Sequence, residues 1–265
     1  MTKTSFATSP IAIAKSLAAF DDALPTLPYW RAPTPGNEQD HWLKFDFGRL
    51  VAHCERVPEI KVNATFDAIA HQGFLRSHGW DAQIVQAGPD AVYTASVFDL
   101  LLLWAKQGKQ TMTHVRDVGD FPAAHFQDVT VHRHHDGVVV LTLATDTGDL
   151  VRITETRTEP IGDIALGRLA AHLFNERRLV EHRERGGVVV PMVDLACRDD
   201  VPELIGLSTS TSDHTVSAAV KQATLKLNHV GARARTAVEA VATRSAPREP
   251  PKPHYFTDPL VVGMY

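Results

Sequence analysis

The chain of 265 residues has only two cysteines, Cys54 and Cys197. A disulfide framework takes several pairs in a small chain, so two reduced, buried thiols are expected instead. Long hydrophobic runs are missing too. No stretch approaches the ~20 apolar residues of a membrane span. The N-terminal MTKTSFATSPIAIAKSLAAF is interrupted at Lys15 and lacks the unbroken apolar centre of a signal peptide. These absences point to a cytoplasmic chain with no membrane contact. Nor is there an excess of one charge: 27 Lys+Arg stand against 31 Asp+Glu, a net charge of -4. That balance gives no footprint for nucleic acid or an anionic membrane. The local basic cluster ERRLVEHRER (176–185) alternates with acids and fits a solvated face. No G-x-S-x-G, H-E-x-x-H, G-x-x-x-x-G-K or G-x-G-x-x-G occurs. From the residues alone, neither an enzyme nor a cofactor is expected.

What is present suits a folded domain. Hydrophobic residues make up 44% and charged residues 22%, near the globular average. One domain over 1–265 is expected. SPIAIAKSLAAFDDAL reads as a helix with Ser9 as cap and Pro10 in its first turn. IKVNATFDAI (60–69) alternates like a strand entering a turn or helix. AVYTASVFDLLLLWAK (91–106) fits a helix or a buried strand, and periodicity does not choose between them. Strands are expected at 112–118, 127–134, 137–145, 188–195 and 216–228. Helices are expected at 162–178 and, short and capped by Asp199, at 199–207. Early helices and a β-rich later half predict an α+β fold.

Two stretches invite chemistry. HRHHD (132–136), with His125 nearby, has histidines but not the spacing or second ligand cluster of a zinc site. Its Asp136-Gly137 pair is a hairpin turn signal. No metal is expected there. The second stretch is LNHVGARARTAVEAVATRSAPREPP (227–251). Its even positions Ala232, Ala234, Thr236, Val238, Ala240 and Ala242 are small or apolar, and its odd positions include Arg233, Arg235 and Glu239. As a strand, one face would be small and the other charged. A segment built to remain a loop has no need of that alternation.

VSAAVKQATLKLNHVGARARTAVEA resembles strand 5A and the reactive-loop hinge of the serpins, the serine protease inhibitor family. Asn228 and Gly231 occupy matching places, and Ala232, Ala234, Thr236 and Val238 follow as hinge positions. YFTDPLVVG (255–263), with Phe256 and Pro259, is similar to the opening of strand 4B. VVVPMVDL followed by DDVPELIGL resembles strand 6A and a short helix. Ala91–Trp104 falls at strand 3A with Trp104 as its closing tryptophan, IKVNATFDAIAHQGFL resembles strand 2A entering a helix, and SPIAIAKSLAAF resembles the start of helix B. The chain departs from the family in lacking a first helix, in compressing 25–58, in a shortened helix F (HGWDAQIVQAGPD), and in ending before strand 5B. At the breach- and shutter-like positions it carries Trp104, Ser9, Ser96 and Lys221.

The resemblance implies a reduced serpin-like fold: a large mixed or antiparallel sheet A, a smaller B-type sheet, few helices and an exposed reactive centre loop at 229–254. It also implies a mechanism, in which a protease cleaves the loop and the loop enters sheet A as a new strand. The even positions would then face inward and Arg233, Arg235 and Glu239 outward. Counting from Gly231 puts the scissile bond at Ser245-Ala246, or at Arg244-Ser245 for a loop one residue shorter. Arg244-Ser245 is preferred because an acidic specificity pocket takes Arg. The expected partner is a trypsin-like serine protease, met by a monomer. The alternative is a non-inhibitory, serpin-derived binding or structural module whose loop is only a substrate.

Overall fold

The computed structural model describes residues 9–24, 29–84, 87–88, 90–115, 119–135, 137–154, 162–173, 179–184, 186–209 and 213–244. The chain opens with α1 (Pro10–Ala18) and α2 (Phe20–Ala23), followed by β1 (Trp30–Arg31), α3 (Glu38–Trp42), a π-helical turn (Leu43–Phe47) and α4 (Gly48–Cys54). Next come β2 (Ile60–Thr65), α5 (Ala68–Ser77), β3 (Val92–Leu103), β4 (Lys109–Val115), β5 (Gly119–Phe126), β6 (Val129–His134), β7 (Val139–Ala144) and β8 (Leu150–Thr154). The last elements are α6 (Asp163–Leu173), β9 (Leu179–Glu184), β10 (Val188–Pro191), β11 (Val193–Asp200), β12 (Ser208–Thr209), β13 (His214–Leu227) and β14 (Gly231–Arg244). The expected α+β class holds, with five of the six α-helices among the described residues before residue 78.

One large sheet organises the molecule. Its order is β1-β12-β13-β14-β3-β2, with β11 also paired to β13. A three-stranded sheet (β10-β5-β4) and a four-stranded sheet (β8-β7-β6-β9) complete the β structure. The main core lies between the large sheet and α1, where Ile13, Leu17 and Phe20 meet Val92, Val216, Val238, Ala240 and Ala242. A second core joins the small sheets to the end of the large one through Trp104, Phe126, Val131, Leu141 and Leu227. The opposite face of the large sheet is covered by α5, which turns His71 and Leu75, one helical turn apart, into the interior.

Local chemistry accounts for most of these elements. Ser9 caps α1, its hydroxyl accepting from the Ala12 N–H at 3.3 Å, and Pro10 fills a first-turn position whose N–H needs no partner. Asp67 caps α5 by accepting from the Ile69 N–H at 2.7 Å. Residues 92–103 form a strand, and 92–97 are buried on both faces. Burial on both sides removes the alternation that marks a half-exposed strand, so the sequence reads as a plain apolar run.

Three expectations need correction. VVVPMVDL is two strands in two sheets: β10 pairs with β5 and β11 with β13, and Met192 separates them. The short helix at 199–207 is absent; β11 runs through Asp199 and Asp200, and 202–206 is a turn. The physical reason is the register, which pairs Asp199 with Lys221 and Asp200 with Val220. Cys54 is buried as expected, but Cys197 is only half-buried on β11. Both thiols are free.

Candidate functional site

The alternating segment is not an exposed loop. Residues 231–244 form β14, at the centre of the large sheet and antiparallel to both neighbours. It pairs with β13 from Leu227↔Ala232 to His214↔Arg244. On its other edge it pairs with β3 from Gly231↔Leu103 to Ala242↔Val92. The reason is chemical economy: a sheet with a gap between β13 and β3 would leave two rows of backbone groups without partners. Residues 245–254 of the expected loop, and with them Ser245, lie outside the described residues, as do Phe256 and Pro259.

A tight turn feeds the strand. Asn228 Oδ1 accepts from the N–H groups of Val230 at 2.8 Å and Gly231 at 3.1 Å. The Asn228 carbonyl accepts from the Trp104 indole N–H at 2.9 Å, and the Trp104 backbone N–H donates to the Val230 carbonyl at 2.9 Å. Trp104 thus anchors the turn from the end of β3. Gly231 is required by close approach, since a Cβ there would collide with the Leu102 carbonyl oxygen.

The even face of β14 matches the expectation. Ala232 packs by Trp104 and Leu227, while Val238, Ala240 and Ala242 enter the main core against α1. Thr236 is buried and Ala234 half-buried. The odd face departs from it. Only its first end keeps charge near solvent: Arg233 and Arg235 both pair with Asp99, at 2.8 and 3.0 Å. The Arg233 hydrogen bond is the first cause holding the Asp99 carboxyl below its usual range. Further along, Ala237, Glu239 and Val241 are each 2% exposed or less, under α5 and residues 80–84. Nothing in the sequence of β14 announces that cover, because it comes from a distant helix and loop.

Of the shutter-like residues, Lys221 and Ser96 fall into one row across β13, β14 and β3, with the hinge residue Val238 between them. Ser96 donates its hydroxyl to the Ala12 carbonyl at 2.5 Å and so ties β3 to α1. Ser9 serves as the helix cap one turn earlier. Lys221 is fully buried, and its ammonium meets Asp163 of α6 at 2.5 Å. Asp163, His71 and Asp99 are the partners that sequence inspection missed; they lie 58, 168 and 134 or more positions from the groups they bind. Arg244 ends β14, exposed and opposite His214. Around the His-rich turn, the His134 ring is buried and stacks by His135 and His172 at 4.3 and 5.0 Å. Among the described residues, no group of three or more His, Cys, Asp or Glu is arranged to hold a metal ion. No described helix is long and apolar enough to cross a membrane.

No family model and no curated protein matches this sequence. Solved structures do match it in fold. Loop-cleaved lamprey angiotensinogen superimposes with a TM-score of 0.58 and 11% identity, over 90% of this chain and 91% of the other. Cleaved viral serpin CrmA gives 0.55 and 13%, over 91% and 96%. The fold is that of the serpins. Emu ovalbumin matches it too, with a TM-score of 0.58 and 10% identity over 98% of this chain and 88% of that one. Two of these three structures are of cleaved chains. The serpin fold also explains the strand order: β14 directly follows β13 yet separates it from β3, a strand more than a hundred residues earlier.

Proposed function

We propose that this chain is a serpin-type inhibitor of trypsin-like serine proteases, cleaved at Arg244-Ser245, with 231–244 as the strand that the trapped product adds to the large sheet. The observation that carries this reading is the fit of 231–244. Both strand edges are paired almost throughout, and the even face carries only small or β-branched groups into a packed core, where larger ones would be costly. In the reaction, the protease serine attacks the Arg244 carbonyl. An ester to Arg244 forms and the Ser245 amine leaves. The Arg244 guanidinium suits an acidic specificity pocket through a charge-assisted pair. Insertion of fourteen residues at ~3.3 Å each then carries the acylated end about 45 Å. Strain is released as the sheet closes over its new strand.

Incubation with trypsin, followed by denaturing electrophoresis, tests the reading. A covalent band of the summed mass, and loss of trypsin activity, are expected. Trypsin that stays active while the chain is merely cut would refute it. One observation favours a second reading, a non-inhibitory module: β14 already lies in the sheet of the uncut chain, with Glu239 buried on it. Under that reading the strand is permanent, and cleavage after Arg244 leaves the melting temperature unchanged. Under the first reading, cleavage raises it sharply.

A further inference from the structure

The small residues on the even face of β14 would let many strands fit there. The odd face is more selective. Glu239 is 2% exposed, yet each carboxyl oxygen is answered from outside the strand. Oε1 accepts from the Gln83 N–H at 2.8 Å. Oε2 accepts from the Ile84 N–H at 3.1 Å and lies 3.2 Å from His71 Nε2. His71 is itself fully buried, and its Nδ1 has no hydrogen-bond partner. A proton on Nε2 is the one placed to be donated to the Glu239 side chain.

Four residues earlier on the same face, Arg235 is gripped by the start of the same segment. Its Nη2 donates to the His78 carbonyl at 2.8 Å, and its guanidinium lies 5.0 Å over the Trp80 ring. Between the two charges Ala237 packs with Trp80 and Leu75, and beyond them Val241 packs with Ile84. Gln222 of β13 adds a bond to the Asp81 carbonyl at 2.7 Å. Residues 78–84 have no strand of their own. Much of their polar backbone capacity goes to the central strands instead.

We infer that His71 and segment 78–84 form a latch that closes on β14 through Glu239 and Arg235, so that order in 78–84 and residence of 231–244 in the sheet are one coupled event. The cage of two N–H groups and an imidazole accepts a carboxylate at this one position. With β14 elsewhere, those donors and the Trp80 face lose their partners together, and burying them unpaired is costly. Any strand with small alternate residues suits the even face; the charges on the odd face identify this strand. The coupling holds whether the strand is permanent or enters after cleavage, so its test is separate from protease inhibition.

Hydrogen exchange read by mass spectrometry tests it on the full chain in two states, uncut and after cleavage by trypsin. In Glu239→Ala and His71→Ala, peptides covering 78–84 and 232–242 are expected to exchange at least tenfold faster together, while β6 and β7 keep their wild-type rates. Glu239→Gln keeps the shape and one acceptor oxygen, so it should stay folded and show a smaller rise in the same two peptides. Exchange in β14 that is unchanged in both states overturns the latch. So does faster exchange in 78–84 alone, which would mean the segment only rests on the sheet. Equal acceleration in β6 and β7 also overturns it, since the variants would then act through global stability.

Discussion

Replacing Lys221 by Met removes the only charge on β13 that is fully buried beside the central strand. Its ammonium lies 2.5 Å from Asp163, which is itself 3% exposed. The Asp163 backbone N–H donates in turn to the Glu203 carboxylate at 2.7 Å. A buried carboxylate stripped of its cation costs about 3–5 kcal/mol. With a urea m-value of about 3 kcal/mol/M, the unfolding midpoint should fall by roughly 1–1.7 M. Asp163→Leu alone should cost a similar amount by taking the carboxylate away from the buried ammonium. The double variant Lys221→Met/Asp163→Leu should recover to within about 1 kcal/mol of wild type or exceed it, because well-packed apolar groups can replace a buried pair without loss. The three variants and wild type form a double-mutant cycle with strong coupling. Urea unfolding followed by circular dichroism measures it. If the single variants lose less than about 1 kcal/mol, or the double variant loses the sum of both, the pair does not work as a buried, mutually compensating unit.

Two further outcomes follow from named contacts. Gly231→Ala should lower stability by about 2–3 kcal/mol, since the new methyl meets the Leu102 carbonyl; thermal melting reads the loss, and wild-type melting would mean the turn can shift freely. Asp21 has its carboxyl raised from 3.8 to about 6, first by burial and then by Asp22. A raised acid disfavours folding once the unfolded chain ionises, so its cost is absent below pH about 4, builds up between pH about 4 and 6 and is complete above that. Asp21→Asn should therefore leave stability unchanged at pH 4 and raise it by about 1–2 kcal/mol at pH 8, a figure reduced for the group's partial exposure. A gain of equal size at both pH values would refute the burial argument.

Much of the architecture was legible because it rests on local rules. The Ser9 cap and Pro10 placed α1, and alternation placed β2. Asn228 and Gly231, matched only to the hinge, form a turn in the structure. The resemblance carried by scattered segments named several strands of the large sheet, though not their order. Legibility failed where a neighbour decides the outcome. Residues 199–207 carry helix-start signals, but the edge of β13 takes Asp199 and Asp200 into a ladder. Residues 91–106 were ambiguous because burial on both faces erases the period that separates helix from strand. His71 and Asp163 look like any other polar residues on a helix until the sheet brings Glu239 and Lys221 against them.

The opening composition and the alternation from Ala232 to Ala242 determined that this segment could be a strand with one small face, because side chains on a strand alternate by geometry alone. They could not determine where that strand lies or what covers its other face. Only the tertiary structure set 231–244 between β13 and β3 and closed α5 and segment 78–84 over Glu239. That cover depends on partners far away in the sequence, whose approach is governed by packing of the whole sheet rather than by any local preference of the strand.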